Sequence, residues 1–129
     1  MSVLTEVSWG ELIDKYTILA IKQERLTDAG KLKNVRNELE SLAPARNQAH
    51  AIAPDLGELE AKLKAVNGAL WVIEDDIRDC ERAQDFGPAF VALARSVYRQ
   101  NDLRAAFKRQ INERLGSKLV EEKSYQPYE

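Results

Sequence analysis

The chain has 129 residues, 44% hydrophobic and 31% charged, with six Gly and four Pro, a balance that fits one folded helical domain and excludes a disordered or low-complexity chain. A formal net charge of −2 gives no overall attraction to nucleic acid or to an anionic membrane surface. Cys80 is the only cysteine, which excludes an intrachain disulfide and a Cys-based zinc site. Met1 to Trp9 lacks a basic start and an apolar run, and nowhere do ~18 apolar residues follow one another, so the expected location is the cytoplasm, with no membrane span.

In chain order, Ser8 with Glu11 three residues later is a capping-box pattern, which predicts a first helix from about Trp9 to Leu26. Its apolar residues Leu12, Ile13, Tyr16, Ile18, Leu19 and Ile21 spread around the circumference, so it is expected to pack on more than one neighbour. Thr27, Asp28 and Gly30 mark a turn. Leu32, Val35, Leu39 and Leu42 line one narrow face of a second helix that Pro44 is expected to break or kink. Pro54 and Asp55 open a third helix, in which Leu56, Leu59, Leu63, Val66, Leu70, Ile73, Ile77 and Cys80 alternate steps of three and four. Facing the second helix, this repeat predicts an antiparallel coiled-coil-like hairpin over 28–82.

The breaker cluster Asp85-Phe86-Gly87-Pro88 precedes a short fourth helix with Phe90, Leu93, Ala94 and Val97. Asn101 and Asp102 are expected to cap a fifth, with Leu103, Phe107, Ile111 and Leu115 on one stripe and Gly116 closing it in a left-handed conformation. The expected architecture is therefore all-α: a single bundle of about five helices, comprising the hairpin, a basic helical pair over 88–116 and a tail over 117–129 that packs as a strap.

Two charged segments are the candidate chemistry. Glu74-Asp75-Asp76-Ile77-Arg78-Asp79 places Asp75 and Asp79 on one helix face, where hard oxygen ligands could hold a Mg²⁺ and a diphosphate. The run Asp75-Asp76-x-x-Asp79 has the letters of the aspartate-rich motif of isoprenyl-diphosphate synthases, which need two such runs on a longer chain. The second segment, Arg95 to Lys118, carries seven Lys or Arg against Asp102 and Glu113, a net of +5, while the first 94 residues sum to −5. Arg95 and Arg99 share one helix face and Arg104 and Lys108 another, with Tyr98 between. Asn101 and Asp102 would expose backbone N–H groups at a helix start, which makes an anion pocket.

The same charges have a structural reading, in which the arginines neutralise the acidic helix and Trp71 is covered by helices four and five. His50 has no partner histidine, and Cys80 continues an apolar repeat, so neither reads as a catalytic residue. Nucleic-acid binding is not expected, because only Tyr98 and Phe107 are interleaved with the basic residues.

Glu11-Leu-Ile-Asp-Lys15, Lys31-Leu-Lys-Asn-Val35, Ala69 through Arg78 and Ser96-Val-Tyr-Arg-Gln-Asn-Asp102 together resemble a family of small uncharacterised bacterial proteins. The resemblance implies a stand-alone helical protein and carries no activity with it. Glu11-x-x-Asp14 is similar to half of the paired acidic motif of all-α nucleotide pyrophosphohydrolases; the second half is not clearly present.

The sequence thus leads to a non-enzymatic binding protein. Its expected site is Asp75, Asp76, Asp79, Arg95, Tyr98, Arg99, Asn101, Asp102, Arg104 and Lys108, its expected partner a small anion or a protein, and a homodimer is plausible. The alternative is a Mg²⁺-dependent hydrolase of a nucleotide or other diphosphate, with Asp75, Asp76 and Asp79 as ligands and Glu11 or Asp14 adding a carboxylate.

Overall fold

A computed structural model of the chain describes residues 1–128. Among them there are four helices and no strand: α1 (Trp9–Arg25), α2 (Ala29–Ile52), α3 (Leu56–Arg82) and α4 (Pro88–Leu115). The start of α1 follows from its cap. Ser8 Oγ accepts from the Glu11 amide at 3.1 Å, one of the orphan donors that every helix start must satisfy. The reciprocal half of the capping box does not form, because the Glu11 carboxylate reaches across to Lys108 instead. Two further first-turn amides are held by the far end of the chain: Trp9 donates to Ser117 Oγ at 2.9 Å and Gly10 to Asn112 Oδ1 at 2.7 Å. The beginning of α1 is thereby fastened to the end of α4.

α1 touches all three other helices, as its all-round apolar pattern predicts. Seven of its 17 residues are buried, against two of 24 in α2. The core is Ile13, Ala49, Ala53, Leu56, Leu63 and Ile111, each 0% exposed, so it sits where the start of α1, the end of α2, the start of α3 and the end of α4 meet.

Three expectations fail. The basic pair of helices is one continuous helix, α4, so there are four helices and not five; Asn101 and Asp102 lie inside it. Each polar residue mid-helix costs about 0.5 kcal/mol in propensity, and the apolar seam running from Phe90 through Val97 to Ile111 on both sides of the junction outweighs that. Pro44 neither breaks nor ends α2. It is exposed, and so is Glu40, the residue whose carbonyl loses its donor, so water can replace the missing bond. Finally, α2 lies mainly along α1, and α3 pairs most extensively with α4. The dominant hairpin is α3–α4, with α2 and α3 touching only weakly near their turn, where Glu60 takes Arg46 at 2.6 Å.

The closing signals behave as expected. Pro88 begins α4, and Gly116 ends it at φ 63°. Beyond it the chain has no regular element through residue 128. It is held along α4 by Lys108–Glu121 at 2.6 Å, by Arg109–Glu122 at 2.9 Å and by the Tyr98 and Tyr128 rings, 5.0 Å apart.

Candidate functional site

The charged groups that the fold gathers are on α1, α3 and α4. Asp14, in the middle of α1, is 1% exposed, a position where a lone carboxylate would be prohibitively costly. Arg104 from α4 meets it in a fork, Nε at 2.9 Å from Oδ1 and Nη2 at 2.5 Å from Oδ2. Asn67 from α3 adds a third donor at 2.9 Å and also donates to Thr17 Oγ1 at 3.0 Å. Thr17 in turn donates to the Asp14 carbonyl at 2.7 Å. Three helices are thus tied at one buried point by a network whose donors and acceptors match. The hydrogen bond to Asp14 holds the Arg104 guanidinium above its ordinary pKa.

One turn along α4, Lys108 is 6% exposed and lies between Glu11 at 2.8 Å and Glu121 at 2.6 Å. Burial pulls its ammonium down, but the two carboxylates together carry it above its usual value. Lys108 holds the Glu121 carboxyl below the ordinary range. Glu121 therefore occupies the cation that an external anion would need. The polar cleft here, lined by Glu11, Asn101, Arg104, Lys108, Glu121 and Lys123, encloses about 210 Å³.

On the other side of Arg104 lies a larger groove of about 430 Å³. Ile18 and Ile21 of α1 and Leu70 and Trp71 of α3 form its apolar walls, Asn67 and Arg104 its base, and Glu74, Asp75 and Arg78 its rim. Its size and its few polar groups on apolar walls are those of a small-molecule site, typically ~300–1,000 Å³. Two atoms of these lining residues have no hydrogen-bond partner among the described residues. Arg104 spends Nε and Nη2 on Asp14, which leaves Nη1, and Asn67 spends Nδ2, which leaves Oδ1. At the rim, Arg78 pairs with Glu74 and Asp75 has no ion pair among the described residues. With Arg104 balanced by Asp14, the groove carries a net charge of about −1.

Of the residues singled out from the sequence, the fold brings Asn101, Arg104 and Lys108 to one site together with Glu11 and Asp14, sets Asp75 on the groove that Arg104 also lines, and leaves the others apart. Arg104 and Lys108 pair with α1 and the tail, and not with the acidic stretch of α3. Asp75 stands at the groove rim, while Asp76, Arg95 and Arg99 are exposed and make no ion pair among the described residues. Asp79 pairs with Arg82 on its own helix at 2.6 Å. Tyr98 packs against Tyr128, and Asp102 is exposed inside α4, with no helix start to offer free N–H groups. Trp71 is partly exposed and walls the groove. No three His, Cys, Asp or Glu side chains among the described residues come together in a group that could hold a metal ion, and no helix of the described residues is long and apolar enough to cross a membrane.

Asn67 and Thr17 were not legible as site residues. Asn67 interrupts the α3 repeat beside Val66, and Asp14 interrupts the apolar start of α1. A polar residue at a position that periodicity marks as buried is the signal that could have found them.

Residues 3–128 match a family of unknown function, DUF6165. The chain belongs to this family. No curated protein and no solved structure is significantly similar to it. Membership agrees with the resemblance carried by the segments quoted above and brings no activity with it, so the functional reading rests on the groove.

Proposed function

We propose that the protein is a non-enzymatic binding protein, and that its ligand is a small molecule or side chain with an apolar body and a neutral amide-type head seated on Asn67 and Arg104. The observation that carries this reading is the unspent donor–acceptor pair at the base of an apolar groove. Arg104 Nη1 donates and Asn67 Oδ1 accepts, and an amide presents the complementary carbonyl and N–H. A carboxylate satisfies only the first and meets the second as a repulsion. The groove's net charge of about −1 disfavours an anion further, and the unpaired Asp75 at the rim favours an amine at the ligand's other end. Leu70, Trp71, Ile18 and Ile21 supply the area that holds the body.

The expected result with blocked hydrophobic amino-acid amides, N-acetyl-leucinamide and N-acetyl-phenylalaninamide, is a rise in Tm that grows with concentration. It disappears in Trp71→Ala, which removes a wall without touching the buried network. No rise with either amide contradicts the reading.

A second reading, Mg²⁺-assisted hydrolysis of a diphosphate, is favoured by one feature: Asp75 is exposed and unpaired beside Arg78 and Arg104. It requires stabilisation by Mg²⁺ and inorganic diphosphate together, lost in Asp75→Asn, together with release of phosphate.

A further inference from the structure

The α3–α4 hairpin is packed at one end only. Its buried residues are Leu56, Leu63, Val66 and Asn67 on α3 and Lys108, Ile111 and Asn112 on α4. Between residues 68 and 107 none is buried, although the seam there carries Leu70, Ile73, Ile77, Phe90, Leu93 and Val97. Two helices alone share a single seam, and isolated helices are marginal in water. The groove covers part of one side of this outer half. Its opposite side has no helix against it among the described residues, and the tail borders it only beside Ala106.

That opposite side is apolar and small. A helix advances about 100° per residue, so Ala65, Ala69, Val72 and Asp76 form one stripe of α3, half a turn from Asn67, Trp71 and Arg78, which line the groove. On α4 the corresponding stripe is Arg99, Leu103 and Ala106. Val72 and Leu103 are 42% and 46% exposed, side by side with alanines that allow another helix to approach closely. At the outer end of the patch stand Asp76, Arg95 and Arg99, none of which makes an ion pair among the described residues.

We propose that this back face of the α3–α4 hairpin is a homodimer interface, covered by a second copy of the same chain. The argument is one of self-complementarity. The turn at 83–87 reverses the chain, so a residue a given number of positions before it lies level with the residue as many positions after it, which sets Asp76 level with Ala94, one residue from Arg95 and within a turn and a half of Arg99. A two-fold axis along the hairpin lays α3 of each copy on α4 of the other at the same height. Asp76 of one copy then faces Arg95 of the other, twice over, with Arg99 about one turn further on beside Val72, and Leu103 packs between Ala65 and Ala69. The two hairpins become one four-helix layer, the usual way such hairpins bury both sides of their seam. An isologous contact needs a surface that carries both signs of charge and an apolar centre, and this face has both.

The patch runs from 65 to 76 on two adjacent helices, about 17 Å by 20 Å from the helix rise and interaxial spacing, or roughly 700 Å² buried in total over the two copies. That is below the size of a standard specific interface, so the dimer is weak, reversible and dependent on concentration.

The test is the mass of the full chain in solution, by sedimentation equilibrium over a wide concentration range, with far-ultraviolet circular dichroism as the control for folding. The expected mass rises from one chain to two. Leu103→Glu stays at one chain with unchanged helix content, since position 103 is exposed within the single copy. Asp76→Arg and Arg95→Asp each weaken the dimer at least tenfold, and the double variant restores it. A mass of one chain at every concentration, the result expected if this face serves a different protein, overturns the proposal. So does a dimer indifferent to Leu103→Glu, or a double variant no better than the singles.

Discussion

Gly10 shows how closely the helices of this protein approach one another. A Cβ at that position would lie 2.5 Å from the Lys108 carbonyl oxygen and 2.9 Å from Asn112 Oδ1, so any side chain pushes α1 off α4 exactly where Asn112 satisfies the Gly10 amide. Gly10→Ala is expected to destabilise the protein by about 2–3 kcal/mol, the range for overpacking against backbone plus a lost buried hydrogen bond, measured by urea unfolding. A smaller loss than ~1 kcal/mol would mean that this contact is looser than described. The same residue-scale logic governs Asp14. Its carboxylate is buried and triply bonded, so Arg104 is first of all a tie between helices, and only its Nη1 is free for another role. Arg104 was legible in the sequence as a functional cation and Asp14 as a candidate carboxylate, but their pairing was not: nothing in the spacing of a residue on α1 and one on α4, ninety positions apart, says that they meet.

At the scale of the element, α4 is where reading from the sequence went furthest astray, and the reason is physical. Asn101 and Asp102 are good capping residues, and capping preference is a local property, but helix continuity is decided by the seam that the whole helix buries. Asp102→Ala separates the two cases. At a true cap it costs about 1 kcal/mol; at an exposed position inside a helix it is expected to stabilise by about 0.5 kcal/mol, since Ala is the better helix former, as read by chemical denaturation. The same reasoning explains what was legible. The Ser8 cap, Pro88 at a helix start and Gly116 at a helix end are local signals that act through the backbone of their own turn, and each stands where it was expected. The α3 repeat was read correctly as a seam and assigned to the wrong partner, because an apolar stripe states that something covers it and not which helix does. The candidate site suffered in the same way: charge totals suggested that the basic part of α4 neutralises α3, whereas the ion pairs run to α1 and to the tail.

For the molecule as a whole, the tail contact makes the polar cleft sensitive to pH. Lys108 holds the Glu121 carboxyl below its ordinary value, so the folded form binds its proton less readily than the unfolded one. The stability from this contact is complete above the unfolded glutamate pKa and is lost as the pH falls through the depressed folded value. The backbone resonances of 118–124 are expected to report a docked tail at neutral pH and its release in acid below the usual carboxylate range, with Glu121→Gln weakening docking already at neutral pH. Release of the tail uncovers Lys108 and leaves the groove on the far side of Arg104 unchanged, because Asp14 and Asn67 hold that side.

The groove is therefore the part of the molecule on which the functional reading stands, and its base distinguishes ligands by one atom. Phenylacetamide and phenylacetate share an apolar body and differ only in the head. Titrated into the isotopically labelled protein, phenylacetamide is expected to shift the side-chain amide of Asn67 and the indole N–H of Trp71 in a saturable way, with phenylacetate binding at least several-fold more weakly. Tighter binding of phenylacetate, or saturable binding of phenylacetamide that leaves both of those resonances unmoved, would contradict the account.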